Sequence, residues 1–369
     1  MRIAFYAPLK PVDHPVPSGD RLMARLLVDA LKMAGYEVDI SARLRSRVVD
    51  GSGVRQARLA ELGGKLAARL LRRYQSGFLP RPDIWFTYHL YYKAPDWIGP
   101  LVARELGIPY VIAEASHAPK RATGPWAASH HAVERSLKQA GAIISLNRAD
   151  MACLEQVCDP AKLHFVPPFI PVADWVGPRL VGDKSGPVRL VTVAMMRGGD
   201  KLASYRVLAN ALQMLPQDRP WSLTIIGDGP ARSDVERLFA GFTAGQIHFA
   251  GQCDRATTRH WLWQSDAFVW PAVNEAYGMA LLEAQAAGLP VIAGDSGGVS
   301  GIVVDGVTGW LVPVGDASAL SFCVAHALAN RTLLRETGQR AALKAARDHD
   351  IVLASRNISS ILQKLGGAA

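Results

Sequence analysis

The chain has 369 residues, with 41 lysines and arginines against 32 aspartates and glutamates, a formal charge of +9, 49% hydrophobic and 20% charged residues. This length exceeds the ~100–200 residues of one ordinary domain and predicts two, each able to bury its own core. The apolar-to-charged balance excludes a disordered or collagen-like chain.

In chain order, IAFYAP reads as a short buried strand running into a Pro/Gly-rich loop that ends PSGDR. An amphipathic helix follows, RLMARLLVDALKMAG, with Gly35 as its stop, then the alternating strand YEVDIS. DIWFTYHL, the helical GPLVARELG, IPYVIAEAS, a further helix and AGAIISLN continue the rhythm. Residues 167–187, PPFIPVADWVGPRLVGDKSGP, hold five prolines and no periodicity, and read as a linker. The rhythm then restarts with VRLVTVAMM, a helix from about Tyr205, WSLTIIGDGP, a helix, QIHFAG, a helix, DAFVWP, a helix and LPVIAG. Strands alternating with helices at this spacing predict α/β domains with parallel, doubly wound sheets. The expected division is 1–172, 173–350 and a C-terminal helix over 351–369 that packs back on the first domain. Ligands of such sheets bind beyond the carboxyl ends of the strands.

The four cysteines, Cys153, Cys158, Cys253 and Cys323, stand in no CxxC spacing. They exclude a disulfide scaffold and read as buried thiols in a reducing compartment. No apolar run reaches the ~18 residues of a membrane span, and MRIAFYAPLK lacks the pattern of a secretion signal. The expectation is a cytoplasmic protein, or one resting on a membrane from the cytoplasmic side.

Three nucleotide motifs fail. There is no GxxxxGK[ST]. Gly227-Asp-Gly229-Pro-Ala-Arg232 ends in Arg where a dinucleotide fingerprint needs Gly, and reads as a tight turn. Asp348-His349-Asp350 is the only DxD and reads as a solvated approach to a helix, so no metal site is expected.

The densest signal is residues 265–315. A strand ends at Pro271, the loop AVNEAYG follows, and GMALLEAQAAG reads as a helix closed by Gly288. The backbone N–H groups of Tyr277, Gly278 and Met279 then stand at a helix N-terminus, ready for a phosphate or a sugar hydroxyl. Glu275 and Glu283 would lie roughly 10 Å apart at 1.5 Å of rise per residue, close enough for one to meet a sugar and the other a ribose. Glu283, among Ala280, Leu281, Leu282 and Ala284, is a carboxylate in an apolar helix and needs partners, which ligand hydroxyls supply.

This stretch resembles the donor segment of glycosyltransferase family 4, the retaining family with the two-domain GT-B fold. The resemblance rests on Glu275-x7-Glu283, the AAGLPV turn, the following Gly-Gly and DGVTGWLV. It extends to VRLVTVAMMRGGDK, where it implies a diphosphate-binding pair, Arg197 and Lys201. The loop between them is shorter than the family's, and Leu202 replaces a glycine. It also implies that Gly251 and Gln252 lie near the base. In the N-terminal half, Gly19 takes the place of the family's Gly-rich loop without its double glycine. RPDIWFTYHL places His89, and His117 falls about two residues late for the family's histidine. The implied fold is GT-B, two Rossmann-like domains facing across a cleft. The implied activity is metal-independent, retaining transfer from a nucleotide-sugar donor to a hydroxyl acceptor, a glycan or lipid-linked envelope precursor. Glu275, Arg197, Lys201 and His117 would be catalytic, and Glu283, Tyr277, Gly278, Met279, Gly19, Gly251 and Gln252 would hold the donor, with no cofactor and no metal. The alternatives are a non-catalytic nucleotide-sugar binder and a GT-B epimerase.

The charge is uneven. Residues 43–73 carry nine basic and two acidic side chains. Within 54–74, Arg55, Arg58, Lys65, Arg69, Arg72 and Arg73 share one arc of a helical wheel, although Gly63-Gly64 stands as a potential break. The face fits either a solvated surface or an anionic membrane. Without interleaved aromatics it does not suit nucleic acid.

Overall fold

The computed structural model describes residues 1–15, 18–178, 186–216 and 218–366. It divides into two compact units, one formed by Met1–Pro167 with the C-terminal segment from Ile351, the other by Pro168–Asp350.

The first unit contains β1 (Arg2–Tyr6), α1 (Gly19–Met33), β2 (Glu37–Ala42), α2 (Gly53–Gln75), β3 (Ile84–Leu90), α3 (Gly99–Leu106), β4 (Tyr110–Ala115), α4 (Ala127–Gln139), β5 (Ala142–Ser145), α5 (Arg148–Leu154) and β6 (Leu163–Phe165). Its six strands form a parallel sheet in the order β2-β1-β3-β4-β5-β6. Burial on both faces explains the unbroken apolar runs: Ile3, Phe5, Ile84, Phe86, Val111, Ile112, Ile143 and Ile144 are all inaccessible. Ser18 caps α1 by accepting from the Arg21 N–H. Asp96 does the same for α3, its carboxylate accepting from the N–H groups of Ile98 and Gly99 at 2.8 Å each, and from the Thr87 hydroxyl at 2.6 Å.

The second unit contains β7 (Val188–Val193), α6 (Asp200–Gln213), β8 (Trp221–Ile226), α7 (Arg232–Leu238), β9 (Ile247–Gly251), α8 (Arg255–Gln264), β10 (Ala267–Trp270), α9 (Met279–Ala286), β11 (Val291–Gly294), α10 (Val299–Ile302), β12 (Gly309–Val312), α11 (Ala317–Ala329) and α12 (Arg331–Asp348). Its parallel sheet runs β12-β11-β10-β7-β8-β9, the doubly wound order that reverses between β7 and β10. The last helix, α13 (Ile351–Gly366), returns to the first unit. There the Ser355 hydroxyl donates to the Ala30 carbonyl at 2.8 Å, and Tyr36 and Ser359 share a hydrogen bond of 3.1 Å.

Several local expectations change. The division falls after Pro167 rather than after 172, because Ile170 bridges to Asp350 and the Val172 N–H donates to the Asp350 carboxylate at 3.2 Å. Phe169, Ile170, Val172 and Trp175 are buried, so the proline-rich segment is part of a core up to that point; residues 179–185 of the expected linker lie outside the described residues. Nor is Asp348-His349-Asp350 solvated. His349 is buried and bonded to the Pro168 carbonyl at 2.7 Å, and burial lowers its pKa to about 4. α2 runs unbroken through Gly63, where a Cβ would come within 2.3 Å of the Trp97 Cβ, so glycine there serves close packing. The four cysteines are free and half-buried.

Candidate functional site

The order of the second sheet makes β7 and β10 neighbours, and the loops that leave their carboxyl ends form the walls of a crevice. The loop after β7 is held by backbone bonds to the β8 turn. Ala194 N–H donates to the Ile226 carbonyl at 3.0 Å, and Met196 N–H to the Asp228 carbonyl at 2.9 Å. Contact this close requires Gly227 and Gly229, which have φ values of 145° and 153°; a Cβ on either would come within 1.9 Å and 2.3 Å of the Ala194 and Met196 carbonyl oxygens. The GDGP turn therefore braces the loop. Arg197 is exposed on this loop. Gly199, at φ 73°, turns the chain directly into α6, which begins at Asp200 rather than near Tyr205 and places Lys201 in its first turn.

The loop after β10 is equally determined. Ala272 and Asn274 adopt left-handed φ angles of 54° and 51°, a strained choice for residues with side chains. Val273 N–H donates to the Ser204 hydroxyl at 3.1 Å, and the Asn274 amide to the Asp200 carboxylate at 2.9 Å. Glu275 N–H donates to the Ser296 hydroxyl at 3.1 Å. The Gly-Gly after β11 permits this packing, since a Cβ on Gly297 would lie 2.2 Å from the Glu275 carbonyl oxygen.

These restraints aim Glu275 at Lys201. The Lys201 ammonium and the Glu275 Oε2 form an ion pair. The Trp270 indole N–H points at the same oxygen from 3.4 Å, and the Lys201 nitrogen stands 5.4 Å from the Trp270 ring centre. Beside the pair, α9 starts at Met279 from Gly278, whose φ is 75°, with no side chain capping it. Tyr277 thus precedes the turn, and because the Leu281 N–H already donates to the Gly278 carbonyl at 2.9 Å, the N–H groups of Met279 and Ala280 are the donors this helix start offers a ligand.

Glu283 lies one turn further along α9. It is half-buried, and among the described residues its carboxylate makes no hydrogen bond or ion pair. Burial raises its pKa to about 7, with Arg255 pulling slightly the other way. A carboxyl group held there without a partner is matched to a ligand that brings its own hydroxyls.

The remaining expected residues fall elsewhere. Gly251 ends β9 at φ 71°, its carbonyl accepting from Gly227 N–H at 2.8 Å, and Gln252 is exposed after it. Both stand at the end of the edge strand, two places from β7, and are not part of the Lys201–Glu275 cluster. Gly19 and His117 belong to the first unit. Gly19 is the first residue of α1, and at that helix start Asp20 pairs with Lys10 and with His89 Nδ1 at 3.1 Å. Burial favours the protonated Asp20, but His89 and Lys10 overcome it and hold the carboxyl well below the usual range. The sheet of this unit reverses between β1 and β3; His89 stands near the carboxyl end of β3, and Lys10 and Asp20 follow β1. His117 follows β4, and its Nε2 lies 3.2 Å from the Glu134 carboxylate. Ser204, Asn274 and Ser296, which fix the Glu275 loop, carry no sequence signal: a serine or asparagine in a loop looks the same whether or not it bonds across the sheet.

The family described as glycosyl transferases group 1 matches residues 187–330, a span that holds Arg197, Lys201, Glu275 and Glu283. Residues 187–330 are thus similar to the group 1 glycosyltransferases. The D-inositol 3-phosphate glycosyltransferase of Jonesia denitrificans is 28% identical over 261 residues, covering 63% of this chain and 61% of that protein. The phosphatidyl-myo-inositol mannosyltransferase of Mycobacterium leprae is 34% identical over 144 residues, 38% of this chain and 37% of that protein. The chain thus matches about three fifths and about two fifths of the length of these relatives. The Anabaena protein HepE, solved in complex with UDP and glucose, is similar over 98% of this chain and 99% of that chain, with a TM-score of 0.72 and 15% identity. At that identity the likeness concerns the fold, and the fold is GT-B. The family match begins just before β7 and ends after α11, so it contains both loops of the crevice.

Proposed function

We propose that the protein is a retaining glycosyltransferase that moves a sugar from a nucleotide-sugar donor to a hydroxyl of a lipid-linked or cell-envelope glycan precursor. The observation that carries this reading is the Lys201–Glu275 ion pair beside the uncapped start of α9, at the point where the second sheet reverses. When the bond from the sugar's anomeric carbon to the diphosphate breaks, negative charge grows on the leaving phosphate. Arg197, Lys201 and the N–H groups at the start of α9 supply fixed positive charge for it, with no metal required at the diphosphate. Glu275 accepts hydrogen bonds from sugar hydroxyls, and Glu283 from the ribose. Gly251 and Gln252 border the base. The acceptor oxygen bonds to the anomeric carbon on the face the diphosphate leaves, and its proton passes to the departing phosphate oxygen. The N-terminal unit, with Gly19 at the start of α1, receives the acceptor.

The same reading places the protein on a membrane surface from the cytoplasmic side. No helix among the described residues is long and apolar enough to cross a bilayer. On α2, however, Arg55, Arg58, Lys65, Arg69 and Arg72 are exposed, together with the apolar Val54 and Leu62, and Phe78 just past the helix end. Basic side chains around exposed apolar ones suit anionic headgroups over an acyl boundary.

The test is incubation of the purified protein with a panel of nucleotide sugars and a membrane lipid extract. Release of nucleoside diphosphate, and a product that keeps the donor's anomeric configuration by NMR, are expected. A product of inverted configuration, or an altered donor sugar without transfer, contradicts the reading.

A further inference from the structure

Three side chains of the N-terminal unit converge on one point, among them His117, to which the resemblance gives a catalytic role. His130 and Glu134 lie one turn apart on α4 and so share a face. His117 reaches them from the loop after β4. His117 Nε2 lies 3.2 Å and His130 Nε2 3.4 Å from the same carboxylate oxygen, Glu134 Oε1. All three atoms are within 4.8 Å of one another. The histidine side chains are 6% and 1% exposed, and their rings stack at 5.2 Å.

Hydrogen bonding alone does not account for this. His117 makes a bond to Glu134, but the buried His130 Nε2, aimed at the same oxygen, makes none. A buried ring nitrogen that makes no hydrogen bond calls for a reason. A cation at the common point supplies one. Tetrahedral zinc takes imidazole nitrogen and carboxylate oxygen at about 2.0–2.2 Å, which separates neighbouring ligand atoms by roughly 3.3–3.5 Å. The two separations in the structure are 3.2 and 3.4 Å. His131 completes the arrangement: its Nδ1 lies 3.1 Å from the other oxygen, Glu134 Oε2, and so fixes the carboxylate with Oε1 turned inward.

We propose that His117, His130 and Glu134 bind a divalent cation of the zinc class, with the fourth position taken by water or by an oxygen of a bound ligand. Two imidazoles and one carboxylate select such a metal over magnesium or calcium, which prefer oxygen alone. The cation ties the β4 loop to α4. It involves no residue of the donor crevice.

The experiment uses the full chain without an affinity tag, stripped with a chelator and titrated with Co²⁺. One equivalent should bind and give the intense visible bands of tetrahedral cobalt, which one equivalent of Zn²⁺ should bleach. Glu134→Gln should weaken cobalt binding at least tenfold while far-UV circular dichroism stays unchanged, and His117→Asn should act likewise. Nucleoside diphosphate affinity should be the same with and without metal. Absence of the cobalt bands in folded protein, or equal affinity in wild type and Glu134→Gln, would overturn the proposal and leave the cluster as a carboxylate bonded by imidazoles.

Discussion

Lys201 and Glu275 stand 74 positions apart in sequence and form an ion pair where β7 and β10 meet. Lys201 stands in the segment that follows β7 and Glu275 in the loop that follows β10, and both segments are fixed by bonds to their neighbours, so the pairing follows from the sheet order. Under the proposed function the two take separate roles, Lys201 on the diphosphate and Glu275 on the sugar. Glu275→Gln should therefore leave nucleoside diphosphate affinity unchanged or slightly tighter, because it frees Lys201, and should lower kcat. Lys201→Ala should lower kcat/KM about 10²–10³-fold, the usual effect of removing one fixed group from a developing anion. Steady-state kinetics with calorimetry check both. Loss of nucleoside diphosphate binding in Glu275→Gln would argue against this division.

The Glu283 carboxyl gives a pH signature. Its pKa is about 7 in the folded state against 4.5 unperturbed. Between those values the folded chain holds more protons than the unfolded one, so this group's contribution to stability falls as pH rises through the window, by about 3 kcal/mol at most. His349, lowered to about 4 by burial, acts with the opposite sign, adding stability as pH rises from about 4 to 6.5. The wild-type curve mixes the two, so the difference between wild type and Glu283→Gln is the quantity to measure. Without ligand, the variant should gain stability relative to wild type from pH 5 to pH 8, yet lose donor affinity by about 1–3 kcal/mol. Denaturant titrations across pH, with and without donor, report both.

Gly297→Ala tests the contact behind Glu275. The added Cβ would lie 2.2 Å from a backbone oxygen, at a φ of 55° that side chains resist. The variant should lose about 1–3 kcal/mol of stability and more activity than that loss explains, since the loop carrying Glu275 must shift. Thermal unfolding and kinetics on the folded fraction decide it.

The fold was largely legible. Apolar strands alternating with amphipathic helices identify two parallel sheets, because both faces of such sheets are covered. The Glu275–Glu283 segment was legible because its turn glycines and its out-of-place carboxylate are local features. What remained hidden depends on distance. Gly63 looks like a helix break until Trp97 is seen against it. His349 looks solvated until the Pro168 carbonyl meets it. His117, His130 and Glu134 join a loop to a helix, so their spacing matches no short motif.

Membrane docking has its own test. Arg58, Lys65, Arg69 and Arg72 are exposed on α2. Replacing all four with glutamine should weaken sedimentation with anionic liposomes, and added salt should weaken wild-type binding in the same way. Wild-type protein that ignores anionic liposomes at low salt would contradict the membrane reading, while leaving the donor site untouched.

A thermal-shift series tests the proposed donor site of the second unit. Wild type and Lys201→Ala are screened without added metal against nucleoside diphosphates and nucleotide sugars. A ligand at 100 times its Kd stabilises the native state by about 2.7 kcal/mol. A clear rise in Tm with one nucleotide class, reduced in Lys201→Ala, is expected. No shift with any nucleotide in folded wild-type protein would contradict it.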